Sequence, residues 1–199
     1  MIRHVKLPFS KEMLSEIKSG DILYLTGTVY TARDAAHKRM YDAVCAYLGE
    51  KGLEAPDGKT VTGKSLFEEG ILPVDISGAV IYYLGPTPAR PGQVIGSAGP
   101  TTSGRMDKYT PTLLELGLVG MIGKGRRSEE VRYAVAKTGA IYMGATGGAG
   151  ALLSKCIKEC ETVAYDDLGT EAVRRLYVED FPVTVLIDSE GKVYEYGKD

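Results

Sequence analysis

The sequence has few of the residues, and none of the long segments, that mark several common classes of protein. It contains two histidines and three cysteines in 199 residues, and no apolar run approaches the length of a membrane span. The first residues also lack the apolar core of a signal peptide. A small, odd number of cysteines favours a reducing compartment over a disulfide framework, so we expect a cytoplasmic protein without a membrane partner.

No charge of one sign dominates the chain. Its formal net charge is −2, with 24 Lys and Arg against 26 Asp and Glu, so nothing predicts nucleic acid as a partner. Apolar residues make up 44% of the chain and charged residues 25%, which is typical of a globular protein. We therefore expect a single domain over residues 1–199, with a polar, Gly-rich insertion at about residues 49–72.

Strands and helices alternate along the chain, which predicts an α/β domain. Apolar residues recur every four positions from Ala36 to Leu48, and this spacing predicts an amphipathic helix. Strands are predicted at residues 21–28, 79–84, 118–122, 140–143, 162–165 and 183–187. Further helices are predicted from about residue 151 through Cys160 and over residues 167–175. The 25 glycines favour a site built from loops, although the spacing at residues 147–150 fits no nucleotide-binding pattern.

Cationic and hydroxyl side chains fall where strands or loops meet helices. Arg33 lies at the start of the amphipathic helix, and Lys124 stands between two glycines directly after a predicted strand. Thr101, Thr102 and Arg105 lie in a Gly/Pro-bounded stretch that leads into a predicted helix. Two arginine forks and a lysine suit an anion with more than one charge, a dicarboxylate in particular. The alternative is a capped helix with a surface arginine and a solvated turn lysine.

The histidines and cysteines carry weaker signals. His37 lies one helical turn after Arg33 and Asp34, so it either shares their pocket or makes a structural hydrogen bond, and the structural role is favoured. Cys156 and Cys160 are four residues apart on a predicted helix and share one face. Because no third or fourth ligand lies near them, neither a zinc nor an iron–sulfur site is predicted.

Several uncommon motifs follow one another over nearly the whole chain. They lie at residues 27–39, 81–86, 99–108, 123–125, 147–151, 167–172 and 178–182. Together they resemble the β half of class I fumarases, iron–sulfur hydro-lyases of the fumarate/tartrate dehydratase family. The resemblance implies a swivelling β/β/α domain of the class I fumarase C-terminal type. It also implies that a separate α part holds the [4Fe–4S] cluster through three cysteines, so that Cys45, Cys156 and Cys160 are not cluster ligands.

The resemblance also implies roles for the candidate residues. Thr101 matches the residue that abstracts the proton from C3 of the substrate, and Thr102 matches its hydrogen-bonding neighbour. Lys124 is implied both in catalysis and in substrate binding. Contacts with the carboxylates and hydroxyl of the substrate are implied for Arg33, His37, Thr102, Arg105 and Lys124.

The resemblance therefore predicts the β subunit of a two-subunit class I fumarate hydratase. Such an enzyme hydrates fumarate reversibly to (S)-malate, needs a cluster-bearing α subunit for activity, and is expected to assemble as α2β2. One alternative is the β subunit of L(+)-tartrate dehydratase, which the Thr-Thr-Ser sequence at residues 101–103 also suits. Another alternative, from a different class, is a non-catalytic domain that binds a dicarboxylate. The threonine pair favours an enzyme, and residues 166–172 and 178–182 favour a fumarase.

Overall fold

A computed structural model describes residues 1–145 and 149–195 of the chain. The strands are β1 (Ile2–Lys6), β2 (Ile22–Thr31), β3 (Val80–Tyr82), β4 (Gly120–Gly123), β5 (Ile141–Gly144), β6 (Ile157–Ala164) and β7 (Val173–Ile187). The α-helices are α1 (Lys11–Glu16), α2 (Asp34–Lys51), α3 (Gly63–Glu68), α4 (Thr110–Glu115), α5 (Glu129–Thr138) and α6 (Gly150–Leu153). Short 3₁₀ turns lie at Ser103–Met106, Ser154–Cys156 and Asp166–Glu171. Within these described ranges, no helix is long and apolar enough to cross a membrane.

Five of the strands close into a small barrel. β2, β3, β4 and β5 run parallel to one another in that order. β7 runs antiparallel to both β5 and β2, and so joins the two ends of the row. β1 and β6 extend the sheet outside the ring, on β2 and β7 respectively. The predicted α/β class is confirmed, and its sheet is a mixed one that forms a barrel.

Side chains on the barrel strands alternate between two hydrophobic cores. On β3, Val80 and Tyr82 belong to the first core and Ile81 belongs to the second. On β5, Met143 belongs to the first core and Tyr142 to the second. Since successive side chains of a strand point to opposite faces, the barrel buries both faces of these strands. The second core also contains the buried side chains of α2, α3, α4 and α5, so these helices cover one face of the sheet.

Helix α2 confirms the predicted amphipathic helix. The four apolar residues at four-residue spacing, Ala36, Met40, Val44 and Leu48, are all buried. The helix ends at Gly52, whose φ of 68° is the left-handed conformation that favours glycine at a helix C terminus. Because α2 begins three residues after the end of β2, its N terminus stays at the edge of the barrel.

Two predicted helices near the C terminus are wrong. Residues after 151 form only the short helix α6 and a 3₁₀ turn before β6 begins at Ile157, so Cys160 lies in a strand. Residues 167–175 form the end of a 3₁₀ turn and the start of β7. Pairing of β6 with the long strand β7 overrides the weak local helical pattern here. Gly147 and Gly148 of the Gly-rich loop lie outside the described residues.

The polar segment at residues 49–72 contributes to the core despite its composition. Val61, Leu66 and Leu72 are buried and belong to the second core. The preceding turn is held by Asp57, whose Oδ1 accepts hydrogen bonds from the backbone N–H groups of residues 59, 60 and 61. These bonds, together with one from the Thr60 hydroxyl, hold the pKa of Asp57 well below its usual value. The segment is therefore packed and internally hydrogen-bonded.

Candidate active site

The candidate site lies where the parallel strands of the barrel end. β2 is followed by Arg33, β3 by the loop at residues 83–85, and β4 by Lys124. Carboxyl ends of parallel neighbours meet at the same edge of a sheet, which is where α/β proteins commonly bind ligands. β7 runs in the opposite sense, so the residues before it reach the same edge, where Arg174 pairs with Thr31. Residues far apart in sequence are therefore brought together here.

Thr101 and Thr102 are held between the ends of β3 and β4. The N–H of Thr101 donates to the carbonyl of Tyr83 over 2.8 Å, and the N–H of Lys124 donates to the carbonyl of Thr101 over 3.2 Å. Ser103 N–H in turn donates to the Lys124 carbonyl over 2.9 Å. Thr101 is partly buried, whereas Thr102 and Lys124 are exposed. The backbone of both threonines therefore lies directly beside that of Lys124.

Asp34 connects the two candidate arginines. Arg33 Nε donates to Asp34 Oδ2 over 3.1 Å, and Arg105 Nε lies 3.9 Å from Asp34 Oδ1. Arg105 stands on the 3₁₀ turn Ser103–Met106 and leaves 56% of its side chain exposed, against 23% for Arg33. Two guanidinium groups therefore converge on one carboxylate at the barrel edge. The Asp34 carboxylate therefore lies between the two guanidinium groups.

Glu171 is a residue that the analysis of single positions did not identify. Its Oε2 accepts a hydrogen bond of 2.7 Å from the N–H of Ala35, and its Oε1 lies 3.2 Å from Arg33 Nε. Arg33 is the N-cap residue of α2 but makes no side-chain capping bond. Glu171 therefore caps this helix from a distant part of the chain. No local spacing reveals such a contact, although Glu171 belongs to the motif at residues 167–172.

Gly85 allows the Arg33 side chain to lie against the loop that follows β3. A Cβ atom built at Gly85 would be 2.9 Å from both Cδ and Nη1 of Arg33, and 3.3 Å from the carbonyl oxygen of Thr170. Contacts shorter than 3.0 Å require something to move. A side chain at position 85 would therefore displace the arginine.

Arg127 is a buried cation close in sequence to Lys124. Arg127 has no exposed side-chain surface; its Nε donates to Asp107 Oδ1 over 2.6 Å and its Nη2 to Thr110 Oγ1 over 2.7 Å. The rings of Tyr83 and Tyr142 lie 5.4 and 4.9 Å from the guanidinium carbon. Burial disfavours the charge, but Tyr83 and the Asp107 carboxylate more than offset it and raise the pKa of Arg127. The sequence analysis stopped at Lys124 and missed this residue.

Tyr142 joins the two loops that carry Arg105 and Lys124. Its hydroxyl lies 2.9 Å from the Ser103 hydroxyl and 2.9 Å from the carbonyl oxygen of Gly125. It can therefore donate to the carbonyl while it accepts from the serine. Burial raises the pKa of Tyr142 to about 12, so the hydroxyl stays neutral and keeps its proton for this bond.

His37 lies in the interior, with no exposed surface. Its Nδ1 lies 3.1 Å from the carbonyl oxygen of Arg33, which only accepts hydrogen bonds, so Nδ1 carries the proton. Its ring meets Tyr83 edge-on at 5.1 Å, and its Nε2 has no partner among the described residues. Burial lowers the pKa of His37 to about 4, so the ring is neutral near pH 7. This placement supports the structural hydrogen-bonding role.

The cysteines of the chain do not form a cluster site. Cys45 is exposed on α2, whereas Cys156 and Cys160 are half-buried and adjoin or belong to β6. Burial raises the pKa of the Cys156 and Cys160 thiols, which disfavours the thiolate that ligates iron. Within residues 1–145 and 149–195, no group of three or more His, Cys, Asp or Glu side chains could hold a metal ion. The described residues therefore do not fit a [4Fe–4S] cluster.

The candidate residues form an open surface. Thr102, Arg105 and Lys124 are all exposed. A groove of about 360 Å³ beside the loop at residues 86–96 is lined by other side chains, including Cys160 and Arg174, and contains none of the candidates. Among the described residues, these three candidates therefore lie on an open face.

Comparison with known proteins identifies the family of this chain. A family model described as "Fumarase C-terminus" matches residues 2–70 and 58–196. The anaerobic class I fumarate hydratase of Escherichia coli K12 is 38% identical over 186 residues, which are 91% of this chain and 30% of that protein. Fumarate hydratase 2 of Leishmania major is 34% identical over 94% of this chain and 30% of its own length.

A further relative has nearly the same length as this chain. A putative L(+)-tartrate dehydratase subunit beta of Methanocaldococcus jannaschii is 33% identical over 193 residues, which are 94% of this chain and 88% of that protein. The chain thus spans about 30% of the fumarate hydratases it matches but most of this subunit. On these matches the chain belongs to the fumarase C-terminus family, whose relatives here are class I fumarate hydratases and a tartrate dehydratase β subunit.

Proposed function

We propose that this chain is the β subunit of a two-subunit class I fumarate hydratase, which converts fumarate reversibly to (S)-malate. The observation that carries the proposal is that Arg33 and Arg105 converge on Asp34 at one edge of the barrel, where the backbone of Lys124 pairs with that of Thr101. Three cations suit a dicarboxylate, and a hydroxyl beside them suits a proton transfer. The reaction named for the Escherichia coli and Leishmania major relatives agrees with this chemistry.

The open site, and the name of the Methanocaldococcus jannaschii relative as a subunit beta, support a separate α subunit. The matched fumarate hydratases are about three times as long as the part that this chain covers, whereas a β subunit is covered almost completely. A partner surface over Thr102 and Lys124 would exclude water and strengthen their electrostatic interactions. In this proposal the partner also holds the [4Fe–4S] cluster, since the described residues here do not fit one, and the assembly is α2β2.

The same proposal covers the domain and its location. The barrel with its covering helices is the swivelling β/β/α domain of the family, and residues 1–199 form that single domain. The family match is split into two segments that overlap at residues 58–70, which supports an insertion at about residues 49–72. A cytoplasmic location stays an expectation from composition.

The proposed roles follow from the charges at the site. Arg33 and Arg105 each bind a carboxylate of the substrate through paired N–H groups, and the Asp34 carboxylate keeps the two arginines facing each other. Thr101 takes the proton from C3 of malate, with Thr102 as its hydrogen-bonding neighbour. Lys124 stabilises the negative charge that develops on the carboxylate next to C3 as this proton leaves. His37 acts indirectly, because its Nδ1 proton holds the Arg33 carbonyl.

A second candidate function is the β subunit of L(+)-tartrate dehydratase. The 33% identity to the Methanocaldococcus jannaschii relative favours it, as does the Thr-Thr-Ser sequence at residues 101–103. Tartrate is a dicarboxylate like malate and carries one more hydroxyl, so the same cations suit both. The higher identity to the Escherichia coli fumarate hydratase keeps fumarate as the first choice.

Anaerobic co-expression with the cluster-bearing partner tests the proposal. We expect the wild-type complex to hydrate fumarate, and Thr101→Ala and Arg105→Ala to abolish most of this activity while the iron–sulfur spectrum is unchanged. Activity with L(+)-tartrate instead of fumarate would support the second candidate. A stable complex with a full cluster and no activity on either substrate would contradict both, and would leave a dicarboxylate-binding domain as the remaining function.

A further inference from the structure

We infer that Glu171 is a positioning residue for Arg33, one that aims the guanidinium group at the substrate and fixes the helix end on which it stands. The inference rests on the proposed function, because it takes Arg33 to be a substrate-binding residue. It is carried by two contacts from one carboxylate. Oε1 of Glu171 meets the Arg33 side chain at 3.2 Å, and Oε2 meets the Ala35 N–H at 2.7 Å.

Glu171 contacts Nε of Arg33, and this choice of atom indicates its role. Glu171 and Asp34 both approach Nε, which lies on the stem of the guanidinium group. Among the described residues, none accepts a hydrogen bond from either Nη atom of Arg33. The Nη atoms are the ones that a substrate carboxylate reaches from the open side of the fork. Glu171 therefore restrains the direction of the guanidinium and leaves its terminal nitrogens for a ligand.

The turn that ends at Glu171 is held at two of its residues. Arg174, at the start of β7, donates to the carbonyl of Gly169 over 2.7 Å and so fixes the turn just before Glu171. Earlier in the same turn, Asp167 accepts two hydrogen bonds from Arg39 of α2, at 2.8 and 2.6 Å. A carboxylate on a restrained turn transmits that restraint to Arg33, because its two oxygens hold both the side chain and the helix end.

The charge of Glu171 and its positioning of Arg33 should have opposite effects on dicarboxylate binding. Whether removal of Glu171 strengthens or weakens binding therefore distinguishes the two. Glu171 places a negative charge beside a cation that is proposed to bind a dianion. If Glu171 acted only through its charge, its removal would strengthen dicarboxylate binding. If it positions Arg33, its removal weakens binding despite the more positive site.

Kinetics of the co-expressed complex with fumarate test this inference. In Glu171→Gln the amide oxygen still accepts from Ala35, but the ion pair with Arg33 is lost. We expect KM for fumarate to rise about tenfold, with kcat within about twofold of the wild type, as for loss of a contact made equally in the ground and transition states. Glu171→Ala, which loses both contacts, should raise KM further. Asp166→Asn, at an exposed carboxylate of the same turn, is the matched control and should leave KM unchanged.

A double-mutant cycle distinguishes positioning from a general structural role. In an Arg33→Lys background, Glu171→Gln should produce little further rise in KM, since the group that it orients is already gone. A fully additive rise, an unchanged KM or a lower KM in Glu171→Gln would each overturn the inference. These outcomes require an active wild-type complex. A wild-type complex inactive on fumarate and tartrate would instead overturn the proposed function, and this role with it.

Discussion

Nε of Arg127 lies 2.6 Å from Oδ1 of Asp107, and the Arg127 side chain has no exposed surface. The other oxygen of the same carboxylate accepts the N–H of Ser128 over 2.7 Å. Asp107 directly follows the turn that carries Arg105, and Arg127 follows the loop that carries Lys124. The ion pair therefore fixes to each other the two loops that carry Arg105 and Lys124.

Breaking this pair should be costly, because it leaves a buried guanidinium without its counter-ion. We expect Asp107→Asn to lower the free energy of unfolding by about 3 kcal/mol, as is typical when one partner of a buried pair is removed. Urea denaturation followed by circular dichroism measures the change.

The matched control for this substitution is an exposed carboxylate. Asp42 pairs with Lys38 on the surface of α2, and Asp42→Asn should change stability by less than about 1 kcal/mol. Equal effects of the two substitutions would mean that the buried Arg127–Asp107 pair stabilises the fold no more than an exposed pair does.

The buried His37 should make stability depend on pH. Its pKa of about 4 in the folded chain lies below the ordinary value of 6.5. Between these values the unfolded chain therefore binds a proton that the folded chain does not. The free energy of unfolding should fall as pH drops from 6.5 to 4, by about 3 kcal/mol from this residue, and level off below pH 4.

A comparison of variants isolates this contribution from that of the carboxylates. His37→Gln should flatten the difference between pH 4 and 6.5, whereas His4→Gln, at a side chain that is 71% exposed, should not. Unfolding curves at several pH values, measured for all three proteins, decide the matter. The same slope in wild type and His37→Gln would mean that His37 is not buried in its neutral form.

Gly85→Ala should weaken substrate binding with little effect on folding. The added methyl group would meet the Arg33 side chain at 2.9 Å and turn its guanidinium away from the site. We expect KM of the complex for fumarate to rise about tenfold, the loss typical of one misplaced charge-assisted contact.

Gly49→Ala provides the corresponding control within α2. Nothing lies within 4 Å of a Cβ at that position, and alanine favours a helix by about 0.5–1 kcal/mol over glycine. This variant should be slightly more stable and bind the substrate as the wild type does. If Gly85→Ala left KM unchanged, the proposed place of Arg33 in the site would be contradicted.

The segment at residues 49–72 should prove to be part of the folded core. Leu66 is fully buried, so Leu66→Ala should cost about 2–5 kcal/mol of unfolding free energy. Leu53, which is 43% exposed in the same segment, is the matched control and should cost much less. If both substitutions had small effects, the segment would be an excursion that packs little against the rest of the chain.

The elements that the sequence predicted well are those whose local pattern and tertiary environment agree. The four-residue spacing in α2 and the apolar run around Ile81 each mark one buried face or one buried strand. The predictions failed around β6, where the chain pairs with β7 over polar residues such as Glu161 and Thr162. Only the partner strand determines the conformation there, and a single-sequence pattern does not contain it.

The residues of the candidate site also divide into those that the sequence predicted and those that it did not. Arg33, Arg105 and Lys124 were predicted because cations in loops at strand ends have a local signature, and the resemblance to a family added the threonines. Glu171 and Arg127 were missed, because each acts through a contact with a residue distant in sequence or through complete burial. A sequence pattern reveals the groups that face a ligand more readily than the groups that hold them.

The central claim is that this chain supplies half of a shared active site, and reconstitution tests it most directly. Purified wild-type chain would be added under anaerobic conditions to the purified, cluster-loaded partner, and fumarate hydration would be followed by absorbance. We expect negligible activity for either chain alone, and a rate that rises with added chain and saturates at one chain per partner. A partner that turns over fumarate at the full rate without this chain, or a mixture inactive on both fumarate and tartrate, would contradict it.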